Sequence, residues 1–560
     1  MLLSADHVGQ GDAEMDYYDL GSYSLKVTTT SPDAQLWFNR GLIWVYGYHH
    51  EEAIVCFEKA IEADPGCAMA YWGIGYAIGP NYNKPWETFE EEEKPAVLAK
   101  AHDSLSKATA LKDAVSPFER ALIEALSTRY PKSPDIVDFC PWNDSYADAM
   151  RKVHAAHAHQ LDVCALFAEA IMNRTPWQLW DLPKGQPAEG ADTLEAIKVL
   201  DDTFNSIDGA WDHPGLLHMY IHLMEMSPHP ERALRHGDRL STLVPDAGHL
   251  LHMATHIDVL CGDYGNVVSR NSTAIVADRK YLARSGPDNF YSVYRCHNYH
   301  FKIYGAMFLG QPTPALEAAE ELIENLPESI LRPMADWFEG FIPMKQHVLI
   351  RFGLWHDILS QDLPEDKELY SFTTAMMHYA RTVALANTSD IAGAEAERNL
   401  FDAARARVQE SRTLFNNTCE DIMGVAEQMM LGELEYHKGN HEAAFAHLRR
   451  SVEIDDSMPY DEPWAWMQPT RHALGALLLE QGQYEEAEAV YRADLGLDDT
   501  LSRACRHPTN VWSLHGLHEC LARRGANAEA LHIKLQLDKA VARAEIPIKA
   551  SCYCRQKAVA

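Results

Sequence analysis

A pattern of small residues that returns along the chain limits its fold more than any other feature. The segment AQLWFNRGLIWVYGYHHEEAIVCFEKAIEADP, from Ala34, sets Gly41, Ala53, Phe57 and Ala60 ahead of Pro65. Small residues at such spacing let the two helices of a hairpin cross closely, and proline stops the second helix before the next begins. The same order returns near the other end, where ALGALLLEQGQYEEAEAVYRADL carries Gly475, Ala487 and Tyr491. WSLHGLHECLARRGANAEALHIKLQLDKA follows with Gly516. A unit of this kind cannot bury its apolar face alone, so neighbouring units must stack. Between the two ends lie amphipathic segments with few β-type alternations, which predicts helix almost throughout. Irregular insertions are expected at GPNYNKPWETFEEEEKP, LWDLPKGQPAEGAD and SMPYDEPWAWMQP.

These spacings resemble the tetratricopeptide repeat, with its period of about 34 residues. The expected fold is all-α, a right-handed superhelix (α-solenoid) of such hairpins. Its expected divisions are an N-terminal extension at 1–30, repeats with inserted loops at 31–212, a central histidine-rich part at 213–330, further repeats at 331–545 and a tail at 546–560.

Composition removes several classes of function. At 560 residues and 47% hydrophobic, the chain is ordered and too long for one simple core. A formal net charge of −32 argues against a nucleic-acid partner, since phosphate binding needs clustered Lys and Arg. No apolar run reaches the roughly 18 to 20 residues that span a bilayer, and the acidic start MLLSADHVGQGDAEMDYYDL has no leader pattern. A cytoplasmic protein without a membrane partner is expected. The 11 cysteines are odd in number and scattered, which fits reduced thiols. Cys552 and Cys554, the one close pair, are expected as ordinary thiols, with soft-metal binding as the alternative.

The 28 histidines are not scattered. One unit begins His213-Pro214-Gly215-Leu216-Leu217-His218 and carries His222 and Glu225; the next, AGHLLHMATHIDVLCGDYGN, carries His249, His252 and His256. His218 and His252 are one period apart, as are His222 and His256. A third unit, YRCHNYHFKIYGAMFLG, aligns Gly310 with Gly262 and sets His297 opposite His249 and His300 opposite His252. Residues three, four and seven apart share a helix face. The resemblance implies that the second, fifth, ninth and twelfth positions of each first helix line a concave groove, and these residues occupy them. Adjacent helices pack at roughly 10 Å, close enough for their imidazoles to converge. His218, His222, His249, His252, His256, His297 and His300 are therefore candidate metal ligands.

The residue types narrow the ion. Imidazole suits zinc, copper, iron or nickel and disfavours magnesium and calcium. Seven imidazoles exceed one ion's need, so a pair with about three histidines each is expected, with copper or iron favoured as cofactor and zinc as the alternative. Glu225 and Glu169 are the candidate catalytic carboxylates, as base or additional ligand, and Asn173 follows Glu169 by one turn. Trp72, Asn81, Asn83, Trp177 and Trp180 could wall a pocket, although aromatics at such spacing usually form core. His154, His157 and His159 are read as a solvated face, His229 and His236 as surface residues, and His213 as a cap or a supporting residue.

The segments FEKAIEADPGCAMAYWGIGYAIGPNYN, FAEAIMNRTPWQLW, HPGLLHMYIHLMEMSPHPERAL, AGHLLHMATHI, HNYHF and ASCYCR are similar to those of a family of large tetratricopeptide-repeat proteins of bacteria and fungi. The resemblance spans nearly the whole chain and implies the superhelix but no settled activity. Thr255 departs from the expected Pro- or Ala-containing turn, at a place expected not to touch the histidines.

Two classes of function follow. One is a metal-dependent oxidoreductase acting on a small-molecule substrate inside the superhelix, with a zinc-dependent hydrolase as its relative. The other is a scaffold whose groove histidines contact a protein or peptide. G-x-S-x-G, G-x-x-x-x-G-K and H-E-x-x-H motifs do not occur.

Overall fold

The computed structural model describes residues 17–555 apart from 134, 135 and 137. The Pro65 and Gly41 landmarks act as the sequence implies. Helix Pro32–Tyr46 opens with Ser31 accepting from the Ala34 backbone N–H and with proline in its first turn. It packs antiparallel on helix His50–Ala63, which leads into helix Ala68–Ala77. Phe57 of the middle helix lies between two glycines: a Cβ built on Gly41 would fall 2.7 Å from its ring and one on Gly73 2.6 Å from it. The far end repeats the device. Tyr491 of helix Tyr484–Leu495 is held between Gly475 and Gly516, and a Cβ on Gly475 would fall 2.5 Å from its ring. An aromatic ring gripped by glycines of the preceding and following helices sets the close stacking of successive pairs.

The chain is an all-α superhelix of helix pairs, and its only strands among the described residues are two short hairpins. Trp180–Asp181 pairs with Gln186–Pro187 inside the second expected insertion. Thr413–Leu414 pairs with Asn417–Thr418, at a place where helix was expected. No helix among the described residues is long and apolar enough to cross a membrane. The superhelix winds back on itself. Arg503 donates to the Leu260 carbonyl, Thr509 to that of Gly262, and the Glu545 backbone N–H to that of Gly310.

The three histidine-bearing helices are Pro214–Glu225, Gly248–Cys261 and Ser292–Leu309, and they pack side by side. Gly262 and Gly310 end the latter two in the left-handed conformation, with φ of 78° and 72°. All twelve residues of Pro214–Glu225 are buried. The expected open groove is thus closed. Its inner side is covered by residues 46–50 of the first hairpin, by residues near Tyr82 and Trp177, and by the segment around Glu462.

Cys552 and Cys554, expected as separate thiols, are joined as a disulfide, and the other nine cysteines are free. His236 is also corrected. It is buried, not superficial, because Tyr220 and Trp211 stack on its ring at 3.9 and 4.6 Å. His229 is exposed as expected. His213 caps its helix, its Nδ1 accepting from the Leu216 N–H at 3.1 Å.

Candidate metal centre

Six of the seven candidate histidines form two sets of three. His218, His222 and His249 each offer a ring nitrogen, and the three nitrogens lie within 4.8 Å of one another; His252, His256 and His297 do the same. The sets adjoin, with ring centroids 5.9 Å apart between His222 and His256 and 6.0 Å between His249 and His252. Spacing explains the grouping. His218 and His222 are one turn apart, and His249 reaches them from the start of the next helix; His252 and His256 repeat the turn, and His297 reaches them in the same way.

His300 departs from the expectation. Its ring lies 6.4 Å from that of His297 and its Nε2 faces the Met467 sulfur at 2.9 Å. Three residues beyond His297 on the same helix, it points toward the segment that carries Met467 and joins neither set.

Hydrogen bonds at Nδ1 fix which nitrogen turns inward. The Nδ1–H of His218 donates to the Tyr46 carbonyl at 2.6 Å. His222 Nδ1 donates to Glu225 Oε1 at 2.9 Å, and His256 Nδ1 to Glu225 Oε2 at 2.8 Å. His252 Nδ1 lies 2.7 Å from Asn271 Oδ1. That oxygen must accept, since the Asn271 amide nitrogen donates to Val267 O and Thr255 Oγ1. A histidine that donates from Nδ1 presents a bare Nε2, the tautomer a metal requires. The Nε2 atoms of His252 and His256 face each other at 2.8 Å.

The remaining nitrogens strengthen this reading. Nε2 of His218 and of His222, both nitrogens of His249 and Nδ1 of His297 are buried without a hydrogen-bond partner. Each orphaned buried group costs about 1–3 kcal/mol, and a shared ion would satisfy several at once. Burial, reinforced by neighbouring imidazoles, holds His218, His222, His249, His252 and His297 well below the ordinary histidine range, so they are neutral. Neutral imidazole is the form that ligates. The residues present therefore fit a pair of nitrogen-bound transition-metal ions.

Glu225 is not a free base. Fully buried, it bridges His222 of one set and His256 of the other. Burial pushes its carboxyl up to about 8, opposed by His256 and reinforced by Glu462. Glu462, which sequence reasoning missed, pairs with the same His256 Nδ1 and is likewise pushed up to about 8, chiefly by burial. Its only sequence signal was its place in the proline-bounded insertion SMPYDEPWAWMQP. Glu169 lies outside both sets, takes a hydrogen bond from the Tyr76 hydroxyl and leaves Oε1 buried and unpartnered. Thr255 does reach the histidines: its hydroxyl donates to the His252 carbonyl at 2.7 Å and accepts from Asn271.

Aromatic rings enclose the sets. Tyr48 lies over the first, 4.6 Å from His218 and 5.7 Å from His249. Phe301 backs the second at 4.7 to 5.0 Å from its three rings. Tyr48, Trp177 and Phe415 all hold positive φ, at 53°, 59° and 50°. Bulky residues in this region are strained by about 1–3 kcal/mol, and such strain gathers at functional sites. A cavity of about 150 Å³ reaches His256 and His297 of the second set and none of the first. Of the residues expected to wall a pocket, Asn83 and Trp177 line it. Trp72 is core, Trp180 donates to the Leu223 carbonyl, and Asn81 shapes a turn. His157 and His159 take no part in either set, and His154 stacks on Phe167.

The tetratricopeptide repeat family profile matches residues 34–67 and 469–500. No curated protein matches the sequence. Among solved structures, the APC/C hetero-tetramer Cut9-Hcn1 is similar over 87% of this chain and 76% of that one, with 13% identity and a TM-score of 0.30. Naa15/Naa10 bound to HypK-THB is similar over 90% and 70%, with 15% identity and a TM-score of 0.21. The P58(IPK) TPR domain is similar over 80% and 99%, with 15% identity and a TM-score of 0.21. The profile matches fall on the glycine-gripped hairpins described above, so tetratricopeptide repeats stand near both ends of this superhelix.

Proposed function

We propose that this chain is a two-metal protein, His218, His222 and His249 holding one transition-metal ion and His252, His256 and His297 a second, and that it oxidises a small molecule at the second ion. The observation that carries this reading is the pair of adjoining three-imidazole sets, buried and within ligating reach. Three nitrogens per ion leave positions open for substrate. The two sets of three are all imidazole, which favours copper over iron. Bound there, a copper pair would supply one-electron steps that side chains cannot. The chain's own part is to hold the ligands neutral, orient them through Glu225, Asn271 and the Tyr46 carbonyl, and exclude water with Tyr48 and Phe301. The histidine motifs further suggest a place among the large repeat proteins of bacteria and fungi.

A second reading, a scaffold for a protein or peptide partner, is supported by the repeat matches. It would use surfaces other than the histidine face, where His218, His222 and His252 are fully buried. Metal analysis of protein purified without a metal-binding tag tests the main reading, with about two ions per chain expected. Less than about a tenth of an ion per chain after incubation with copper, iron or zinc would overturn it.

A further inference from the structure

The cavity beside the second set has a composition of its own. Its walls are the rings of Trp177, Phe290, Tyr294, Trp337 and Phe415, and its floor is His256 and His297. Phe290 and Trp337 are half-buried at the outer rim, whereas His256 and Tyr294 are buried within. The first set has no such approach, because Tyr48, Tyr82 and Trp177 pack over His222 at 6.0, 4.9 and 5.8 Å. Two of the wall rings, Trp177 and Phe415, are presented on left-handed backbone, so the fold bears a cost to set them there.

Size and lining select the ligand. A cavity of about 150 Å³ accommodates one benzene-sized ring. Aromatic walls favour a flat π-system through offset and edge contacts. The side chains of Asn83 and Tyr294 also line the cavity and add hydrogen-bonding capacity. Three buried carboxylates stand close by, Glu225, Asp461 and Glu462. They would suit an organic cation were the ions absent, but two divalent ions outweigh them and favour a group able to bear negative charge at the floor. We infer that this cavity takes a single-ring phenol, its ring among the aromatic walls and its hydroxyl toward His256 and His297, an assignment that rests on the two-metal reading for the direction of the hydroxyl.

The test titrates full-length, metal-loaded protein with 4-nitrophenol, following its visible absorption, with phenol, cyclohexanol and benzylammonium as competitors. A saturable spectral shift is expected, with phenol competing at least about tenfold better than the other two. Val293→Trp, which fills the cavity from its wall, is expected to weaken binding about tenfold or more while metal content and helical circular dichroism stay unchanged. Phe415→Leu gives an independent variant should the first not fold. Metal-loaded protein that binds no nitrophenol overturns the phenol assignment and leaves the metal centre standing, as does cyclohexanol or benzylammonium competing equally well. Protein that takes up no metal yet binds nitrophenol in a Val293-dependent way overturns the two-metal function and supports the cavity assignment.

Discussion

Glu225→Gln separates the two sets of histidines. In the native chain one carboxylate accepts from His222 Nδ1 at 2.9 Å and from His256 Nδ1 at 2.8 Å, so it fixes a ligand of each set. A glutamine has one acceptor oxygen. Its amide nitrogen would face the other imidazole, which must then bare Nδ1 and protonate Nε2, the nitrogen that should ligate. The metal-free fold should tolerate the change, because glutamine keeps the shape of glutamate and removes a charge that burial penalises. Loss of a supporting partner costs about 10- to 100-fold in metal affinity, or about 1.4–2.7 kcal/mol. Only one set should bear this loss. Metal titration against a chelator of graded strength is expected to show one ion held as in the native protein and one weakened by that factor, with unchanged helical circular dichroism. Two ions retained at native affinity would refute the bridging role assigned to Glu225, and equal weakening of both would refute the one-acceptor reasoning.

The pH dependence of metal-free stability has a definite sign. The folded-state values of Glu225 and Glu462 stand at about 8, above those of the unfolded chain, so the folded protein holds extra protons between about pH 4.5 and 8 and loses stability as pH rises through that window. The neutral histidines act oppositely, since the unfolded chain takes up protons below about pH 6.5 and stability falls as pH drops. The urea midpoint should peak at about pH 6 to 7, and a midpoint still rising between about pH 7 and 8.5 would contradict this balance. For the repeat packing, Gly73→Ala should cost about 1–3 kcal/mol, since its Cβ would fall 2.6 Å from the Phe57 ring. Gly424→Ala, in helix Cys419–His437 with nothing within 4 Å, should gain about 0.5–1 kcal/mol. Denaturant midpoints read both, and equal effects would refute the glycine grip.

The helix pairs and the three-helix histidine pattern were legible in the sequence because both rest on local periodicity. Gly41, Phe57, Gly475 and Tyr491 announce a crossing through residue size alone, and His218, His222, His252 and His256 announce a shared face through spacing alone. The period could not tell that His300 turns to Met467, because position along a helix gives a face and not the neighbour that meets it. Glu462 and Phe415 were illegible for another reason. They arrive from irregular segments that carry no period, and only the winding of the superhelix brings them to His256 and His297. The same irregular segments close the groove that the repeat alone would leave open.

The closure of that groove has a consequence for how the molecule comes together. In the first set His218 takes its Nδ1 partner from Tyr46, in the opening hairpin, while in the second His256 meets Glu462, more than four hundred residues later. The second contact cannot form until the chain has been made as far as Glu462. An ion bound between them would act as a rivet fastened from both ends, and its capture would mark the moment at which the last turn of the coil has been laid against the first.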